Sequence, residues 1–219
     1  MRGHVEWSKA PASPGPTLDI VAEERAEGRL GRAFAAIDAA NGADPARITV
    51  RGKERPKELA HAELVTEWVR RLEPGPAEPL LLAARAHHLR RWTIPRSSYP
   101  AGRSGYLRWR KALHEQHARE VAEILVNVGY DDMTIARVQD LVRKRRLGAD
   151  DEVQVLEDAL CLVFVETQLH DLAQRVEAEK MVDVIRKTIK KMSPRAVELA
   201  LTLEIPEESR ALLTRALAA

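Results

Sequence analysis

The segment LEDALCLVFVE, residues 156–166, constrains the fold of this chain more than any other segment. When it is drawn as a helix, it is apolar on nearly every side apart from its carboxylates. A helix of that kind is normally buried at the centre of a domain, surrounded by helices that each turn one apolar face inward. The sequence therefore predicts an all-α fold built around this segment.

Helical periodicity recurs along the rest of the chain. Residues 57–72, for example, place His61, Leu64, Val65 and Trp68 on one face. We find no convincing alternating strand pattern and no internal repeat, and ITVRGKERP is predicted to be a loop. The predicted helices cover approximately residues 29–41, 57–72, 79–92, 104–128, 131–147, 151–172, 176–192, 195–203 and 207–218.

The N-terminal segment differs from the rest of the chain. The proline-rich stretch PASPGPT blocks regular structure, and mostly polar residues follow it. We therefore expect a flexible, disordered tail over residues 1–28 and a single multi-helix domain over residues 29–219.

Composition narrows the functional classes. A formal net charge of +2 is far from that of a dedicated nucleic-acid binder. The single cysteine, Cys161, excludes an internal disulfide framework, fits a reducing cytoplasm and is interpreted as a buried small hydrophobe. No stretch approaches the roughly 18 uncharged apolar residues of a membrane span, and the first residues lack a signal-peptide core. These features predict a cytoplasmic protein without a membrane partner.

Histidines and carboxylates lie on helix faces that are otherwise apolar. A charge that is buried without a partner costs several kcal/mol, so such carboxylates are paired, hydrogen-bonded or metal-bound. Neutral imidazoles and carboxylates from separate helices are what a divalent metal such as Mn, Fe, Zn or Ni requires. Core hydrogen bonds for the same histidines are the alternative. The candidate metal ligands are His61, His87, His88, His117 and Asp158, and the candidate catalytic residues are His88, Glu157 and Asp158.

The order of these residues is similar to the order of metal ligands in HD-domain phosphohydrolases. That resemblance implies an HD-like helical fold and a metal-dependent hydrolase. In those enzymes an AAxxHD-type segment supplies a His-Asp pair and a later helix supplies the last Asp. This chain has AARAHHL, so His88 stands where the signature aspartate is expected.

A basic and aromatic cluster follows the paired histidines, around the proline-bounded loop TIPRSSYPAGRSGY. Arginine offers a planar fork of donors for phosphate, and aromatic rings can stack on bases. We interpret the cluster as an anion site, with structural ion pairs as the alternative for each arginine. The candidate substrate-binding residues are Arg90, Arg91, Arg96, Arg103, Tyr106 and Arg110.

Several strings resemble the DUF4202 family, whose function is uncharacterised. They are AFAAIDAANGADP, KELAHAELVTEWVRRL, AARAHHLRRWTIPRSSYPAGRSGYLRWR, HAREVAEIL, LEDALCLVFVE and IRKTIKKMS. The family string AARAQHxRRW implies that His88 is its characteristic histidine and that His87 is a local variant. The resemblance thus favours His88, His117, Glu157 and Asp158, together with the arginines.

Two functions remain open at this point. The first is a divergent HD-like, metal-dependent hydrolase of a phosphorylated small molecule or nucleotide, in which a metal or a histidine activates water and arginines hold the phosphate. The second is a non-catalytic module that binds a nucleotide or an exposed RNA segment through the arginine and aromatic loop. The near-neutral total charge favours a small anion over a long polymer.

Overall fold

The computed structural model describes residues 18–218, with side chains from residue 28 onward. Up to residue 17, the predicted flexible tail lies outside the described residues, and the first described helix begins at Leu18. The helices are α1 (Leu18–Gly42), α2 (Lys57–Leu72), α3 (Glu78–Ala86), α4 (Gly102–Val128), α5 (Asp132–Val142), α6 (Asp151–Thr167), α7 (Leu169–Ala173), α8 (Ala178–Ile189), α9 (Pro194–Thr202) and α10 (Glu207–Leu217), and the strands are β1 (Arg47–Val50) and β2 (Lys53–Pro56).

The prediction of an all-α fold is confirmed, and α6 lies at its centre. Leu156, Leu162 and Val163 on this helix are at most 1% exposed. Helices α2, α3, α5, α7 and α9 all pack against α6, while α4 packs on α1 and α5. This arrangement brings α2, the end of α3 and the middle of α4 to the same side of the core, where the histidines meet.

Helices α5 and α9 begin within one residue of the predicted positions, and a side chain caps each start. The carboxylate of Asp131 accepts a hydrogen bond from the backbone N–H of Thr134 at 2.8 Å, and α5 follows. The hydroxyl of Ser193 accepts one from the backbone N–H of Ala196 at 3.2 Å, and α9 begins at Pro194. Both contacts satisfy a backbone donor that the first helical turn leaves without a partner.

The expectation of a loop at ITVRGKERP was wrong, because a β-hairpin forms there. Strand β1 pairs antiparallel with β2, and Val50 faces Lys53 across the turn. Arg51 and Gly52 form the turn with φ values of 50° and 75°. Two consecutive positive φ values are typical of the tightest hairpin turns. Strand β1 alternates polar and apolar residues over only four positions, and β2 (KERP) is almost entirely polar, so the pattern is too short to stand out in the sequence.

Two helices end earlier than predicted, and left-handed residues follow both of them. Helix α3 ends at Ala86 rather than near residue 92, and Arg90 has a φ of 49°. Helix α5 ends at Val142 rather than near residue 147, and Lys144 has a φ of 56°. Left-handed backbone outside glycine is uncommon and does not extend an α-helix. Neither segment contains a glycine or proline at the point where the helix ends, so its sequence does not mark the end.

No described helix has the length and apolar character that crossing a membrane requires.

Candidate functional site

Four histidine rings from three helices form a cluster beside α6. The ring centroid of His88 lies 4.1 Å from that of His87 and 6.0 Å from those of both His61 and His117. His61 comes from α2, His117 from α4, and the adjacent pair from the end of α3. The structure therefore brings together all four histidines that the sequence nominated.

The end of α3 explains how two neighbouring histidines enter one cluster. In a continuing helix, adjacent side chains point about 100° apart, as 3.6 residues per turn requires. Here the chain turns sharply after His88 because Arg90 is left-handed. The side-chain oxygen of Asn41 fixes this turn by accepting the backbone N–H of Arg90 at 3.0 Å. The fold thus holds the pair at the turn with its rings close together.

His87 and His117 have the hydrogen bonds that metal-ligating histidines usually make. The Nδ1 atom of His87 lies 2.8 Å from the carbonyl oxygen of Ala84, and that of His117 lies 2.8 Å from the carbonyl oxygen of Leu89. A carbonyl can only accept, so Nδ1 carries the proton in both rings and Nε2 keeps its lone pair. Both Nε2 atoms are buried and have no hydrogen-bond partner among the residues that the structure describes. A backbone carbonyl that fixes the tautomer in this way is the usual outer contact of a histidine that binds a metal.

Glu58 is a member of the cluster that sequence reasoning missed. It is 4% exposed, and its Oε2 atom lies 3.0 Å from Nδ1 of His88 and 3.9 Å from Nδ1 of His61. Its backbone N–H donates to the carboxylate of Asp44 at 3.0 Å, which anchors the start of α2. A signal was present, since residues three apart on a helix share a face and Glu58 precedes His61 by one turn.

The histidines are held neutral by their surroundings. Burial lowers the pKa of His117 to about 4 although its bond to the Leu89 carbonyl acts in the opposite direction. Burial and the neighbouring charge of His88 lower the pKa of His87 well below its usual value. Burial also lowers the pKa of His61, against the effect of Glu58. Neutral imidazole is the form that binds a metal, so no proton has to be removed near neutral pH.

Three of these residues can hold a metal ion. His61, His87 and His88 each present a ligand atom, and the three atoms lie within 4.8 Å of one another. The bare Nε2 atom of His87 fits a ligand role directly. The Nε2 atom of His88 now accepts a hydrogen bond from Arg91 at 3.1 Å. A metal bound there would displace the guanidinium, which also lies over the ring of Trp109 at 4.8 Å.

Two cavities open beside the histidines and share one wall. Their volumes are about 190 and 180 Å³, and both are lined by His88, Arg110, Lys144 and Leu160. Because His88 belongs to both the cluster and this wall, the histidines face the cavities directly. The first cavity reaches His61, Glu157 and Lys191, and the second reaches His87, Arg91, Tyr106 and His114.

Glu157 lies in the first cavity between two lysines. Its carboxylate accepts a hydrogen bond from Lys144, and its Oε1 atom lies 3.4 Å from Nζ of Lys191. Burial would raise the pKa of Glu157, but the two ammonium groups outweigh burial and lower it. The predicted catalytic carboxylate is thus an ionised partner of two lysines that sequence reasoning did not nominate.

Asp158 is not brought to the histidines. Its two oxygens accept hydrogen bonds from the hydroxyl of Ser193 at 2.6 Å and from the backbone N–H of the same residue at 2.8 Å. The side chain of Gln154 donates to it as well, at 2.9 Å. Asp158 lines neither cavity. Asp158 instead anchors the start of α9 on α6. Neighbouring residues on a helix point in different directions, so only Glu157 faces the site.

The nominated arginine and aromatic residues divide into two groups. Arg91, Tyr106 and Arg110 line the second cavity. Arg96 instead donates to the carbonyl oxygens of Tyr99 at 2.8 Å and Pro100 at 2.9 Å, which holds the loop in shape. The remaining two, Arg90 and Arg103, are exposed and line neither cavity.

Comparison with known families identifies the chain at the level of a family. The pattern of DUF4202, described as a domain of unknown function, matches residues 31–213, which include the histidine cluster, both cavities and α6. The chain belongs to the DUF4202 family. No curated protein and no solved structure matches it. The family description names no reaction, so the function of this DUF4202 domain has to be argued from the site.

Proposed function

We propose that this DUF4202 chain is a metal-dependent phosphohydrolase of a phosphorylated small molecule, divergent from HD-domain enzymes. The observation that carries the proposal is the position of His88, which belongs both to a buried, neutral histidine cluster and to the wall of a cation-lined cavity. Hydrolysis of a phosphate ester requires an activated water beside a group that holds the phosphate. The histidine cluster would bind the metal that activates the water, and the cations of the cavity would hold the phosphate.

The residues present fit a divalent cation such as Mn, Fe, Zn or Ni. His61, His87 and His88 would hold it, and the bare Nε2 atom of His117 lies on the same cluster. When bound, the ion would supply a Lewis acid and an acidified water. Glu58 would keep His88 oriented by accepting its Nδ1 proton, as carboxylates do behind metal-binding histidines. In this role Glu58 is a positioning residue.

The second function, a non-catalytic module that binds a nucleotide or RNA, draws less support from the loop. The guanidinium of Arg96 is taken up by loop carbonyls, and the indole N–H of Trp109 donates to the carbonyl oxygen of Ile94 at 2.8 Å. Donors that are used to shape the loop are not available to phosphates. Tyr106 is 43% exposed, but its ring centroid lies 5.9 Å from that of Trp109, and one partly exposed ring is a small stacking platform.

Metal analysis and phosphate release test the proposal together. The full chain, purified without chelators, is expected to carry a divalent metal in near-stoichiometric amount and to release phosphate from a panel of phosphate esters. The His87→Gln variant removes an unpartnered Nε2 ligand, so it should lose most of the metal and the activity. His170→Gln, on α7, should retain both. Absence of metal in the wild-type chain, combined with no phosphate release when each candidate metal is added, would overturn the proposal.

A further inference from the structure

Among the side chains that the structure describes, Arg110 is a cation without a counter-charge. It lines both cavities, and its guanidinium lies 6.0 Å from the centroid of the Tyr106 ring. Within residues 28–218, whose side chains are described, no carboxylate pairs with it. Its charge acts on its neighbours, because it helps to lower the pKa of His114 and of Lys144. An arginine on a cavity wall with no internal partner is positioned to bind an anion from solution.

The charges of the first cavity do not cancel. Of the described residues that line it, Arg110, Lys144 and Lys191 contribute cations and Glu157 contributes the one carboxylate. Two positive charges are therefore left over. A phosphomonoester, which carries a charge of about −1.5 to −2 at neutral pH, balances them, whereas a phosphodiester with a single charge does not.

The size of the cavities limits what can be attached to the phosphate. Their volumes of about 190 and 180 Å³ are each below the roughly 300 Å³ at which pockets for drug-sized ligands begin. Either cavity has room for a phosphoryl group with a few further heavy atoms. A base and a sugar attached to the phosphate would have to extend beyond it.

We infer that Arg110, Lys144 and Lys191 form a subsite for the dianionic phosphoryl group of a phosphomonoester smaller than a nucleotide. The inference rests on the proposed function, because it assigns a substrate class to that function. Phosphate is then bound by residues of the cavity wall and not by the loop arginines such as Arg96. In the free protein, both lysines pair with the carboxylate of Glu157. Arg110 supplies the planar donor pair that a phosphoryl group accepts in two parallel hydrogen bonds.

Calorimetric titration of the metal-free full chain tests the subsite apart from catalysis. The ligands are inorganic phosphate, glycerol 2-phosphate, dimethyl phosphate and AMP, each added after dialysis against EDTA. The first two are expected to bind, with an affinity that rises with pH through the second phosphate ionisation near about pH 6. Dimethyl phosphate and AMP are expected to bind at least tenfold more weakly than glycerol 2-phosphate.

The matched variants are Arg110→Gln and Arg108→Gln, two positions apart on α4. Arg110 has no internal ion pair to lose and Arg108 is exposed, so both variants should keep the wild-type melting temperature. Arg110→Gln should weaken binding of glycerol 2-phosphate at least tenfold, and Arg108→Gln should leave it unchanged. Equal binding by both variants, equal affinity for the diester, or no binding by the wild-type chain would each overturn the inference. Since no metal is present, such a failure would leave the metal and activity results of the proposed function intact.

Discussion

The Oε2 atom of Glu58 lies 3.0 Å from the Nδ1 atom of His88, and the pair joins the first turn of α2 to the end of α3. This contact gives a buried carboxylate a partner and fixes the ring of the histidine that both the cluster and the cavities share. We expect the ligands of a metal site to depend on it.

Replacing Glu58 with Gln should weaken metal binding about 10- to 100-fold, the usual cost of removing an outer carboxylate behind a metal-binding histidine. Glutamine keeps the size of the side chain but loses its charge. The measurement is a competition titration against a chromophoric chelator. Glu67→Gln is the control, because Glu67 also lies on α2 but pairs with the exposed Arg51. Unchanged affinity in Glu58→Gln would show that this carboxylate does not orient a ligand.

Replacing Arg96 with Ala should destabilise the loop and leave phosphate binding intact. Its guanidinium donates to the carbonyl oxygens of Tyr99 and Pro100, and hydrogen bonds that involve a charged group contribute about 1.5–3 kcal/mol. A loss of that size lowers the melting temperature by about 2–4 °C per kcal/mol for a domain of this length. Arg103→Ala, at an exposed position in the same region, should not change the melting temperature. If Arg96→Ala instead loses phosphate binding and keeps its melting temperature, Arg96 contacts the phosphate and does not shape the loop.

Replacing Gly105 with Ala should cost more stability than the same substitution at Gly31. A Cβ atom built at Gly105 would lie 1.9 Å from the carbonyl oxygen of Pro100, which is backbone and cannot rotate away. Overpacking typically costs about 1–3 kcal/mol, measurable by urea unfolding. The control is Gly31→Ala in α1, where no atom lies within 4 Å and alanine favours the helix. A Gly105→Ala variant as stable as the wild type would mean that the backbone at Pro100 can shift away from α4 at little cost.

Cys161 should react slowly with alkylating reagents in the native state. Its thiol is 5% exposed, and burial together with Glu157 raises its pKa to about 12. Only the thiolate is nucleophilic, so labelling by iodoacetamide at pH 8 should be at least 1,000-fold slower than in urea, where the pKa returns to about 8.5. The native rate should still be rising tenfold per pH unit at pH 9. A native rate that levels off below pH 9 would contradict this prediction and would identify a reactive thiol.

The parts of the fold that depend on local chemistry were predictable from the sequence. The apolar surface of the segment 156–166 predicted that α6 is buried, and helical periodicity predicted the starts of α5 and α9 to within one residue. The hairpin was missed because the alternation in β1 spans only four residues, β2 is almost entirely polar, and the pairing depends on the turn at Arg51 and Gly52. The early helix ends were missed for a related reason, since left-handed backbone at residues other than glycine leaves no mark in the sequence.

The candidate site could be predicted only in part. Shared helix faces nominated the histidines, but which ring nitrogen keeps a free lone pair depends on carbonyls supplied by Ala84 and Leu89. The different surroundings of Glu157 and Asp158 depend on Lys144 and on Ser193, residues that helix periodicity does not place. Long-range partners of this kind are set by the packing of whole helices.

The left-handed backbone of Lys144 has a consequence for how the sequence tolerates change. Glycine adopts a φ near 56° without strain, whereas a residue with a side chain pays a conformational cost there. A random library at position 144 that is sorted only for heat resistance would therefore enrich glycine, provided that Glu157 is varied at the same time. The same library sorted for phosphate binding would return lysine or arginine. Comparing the residues enriched by the two selections would show whether lysine at position 144 serves phosphate binding at a cost in stability.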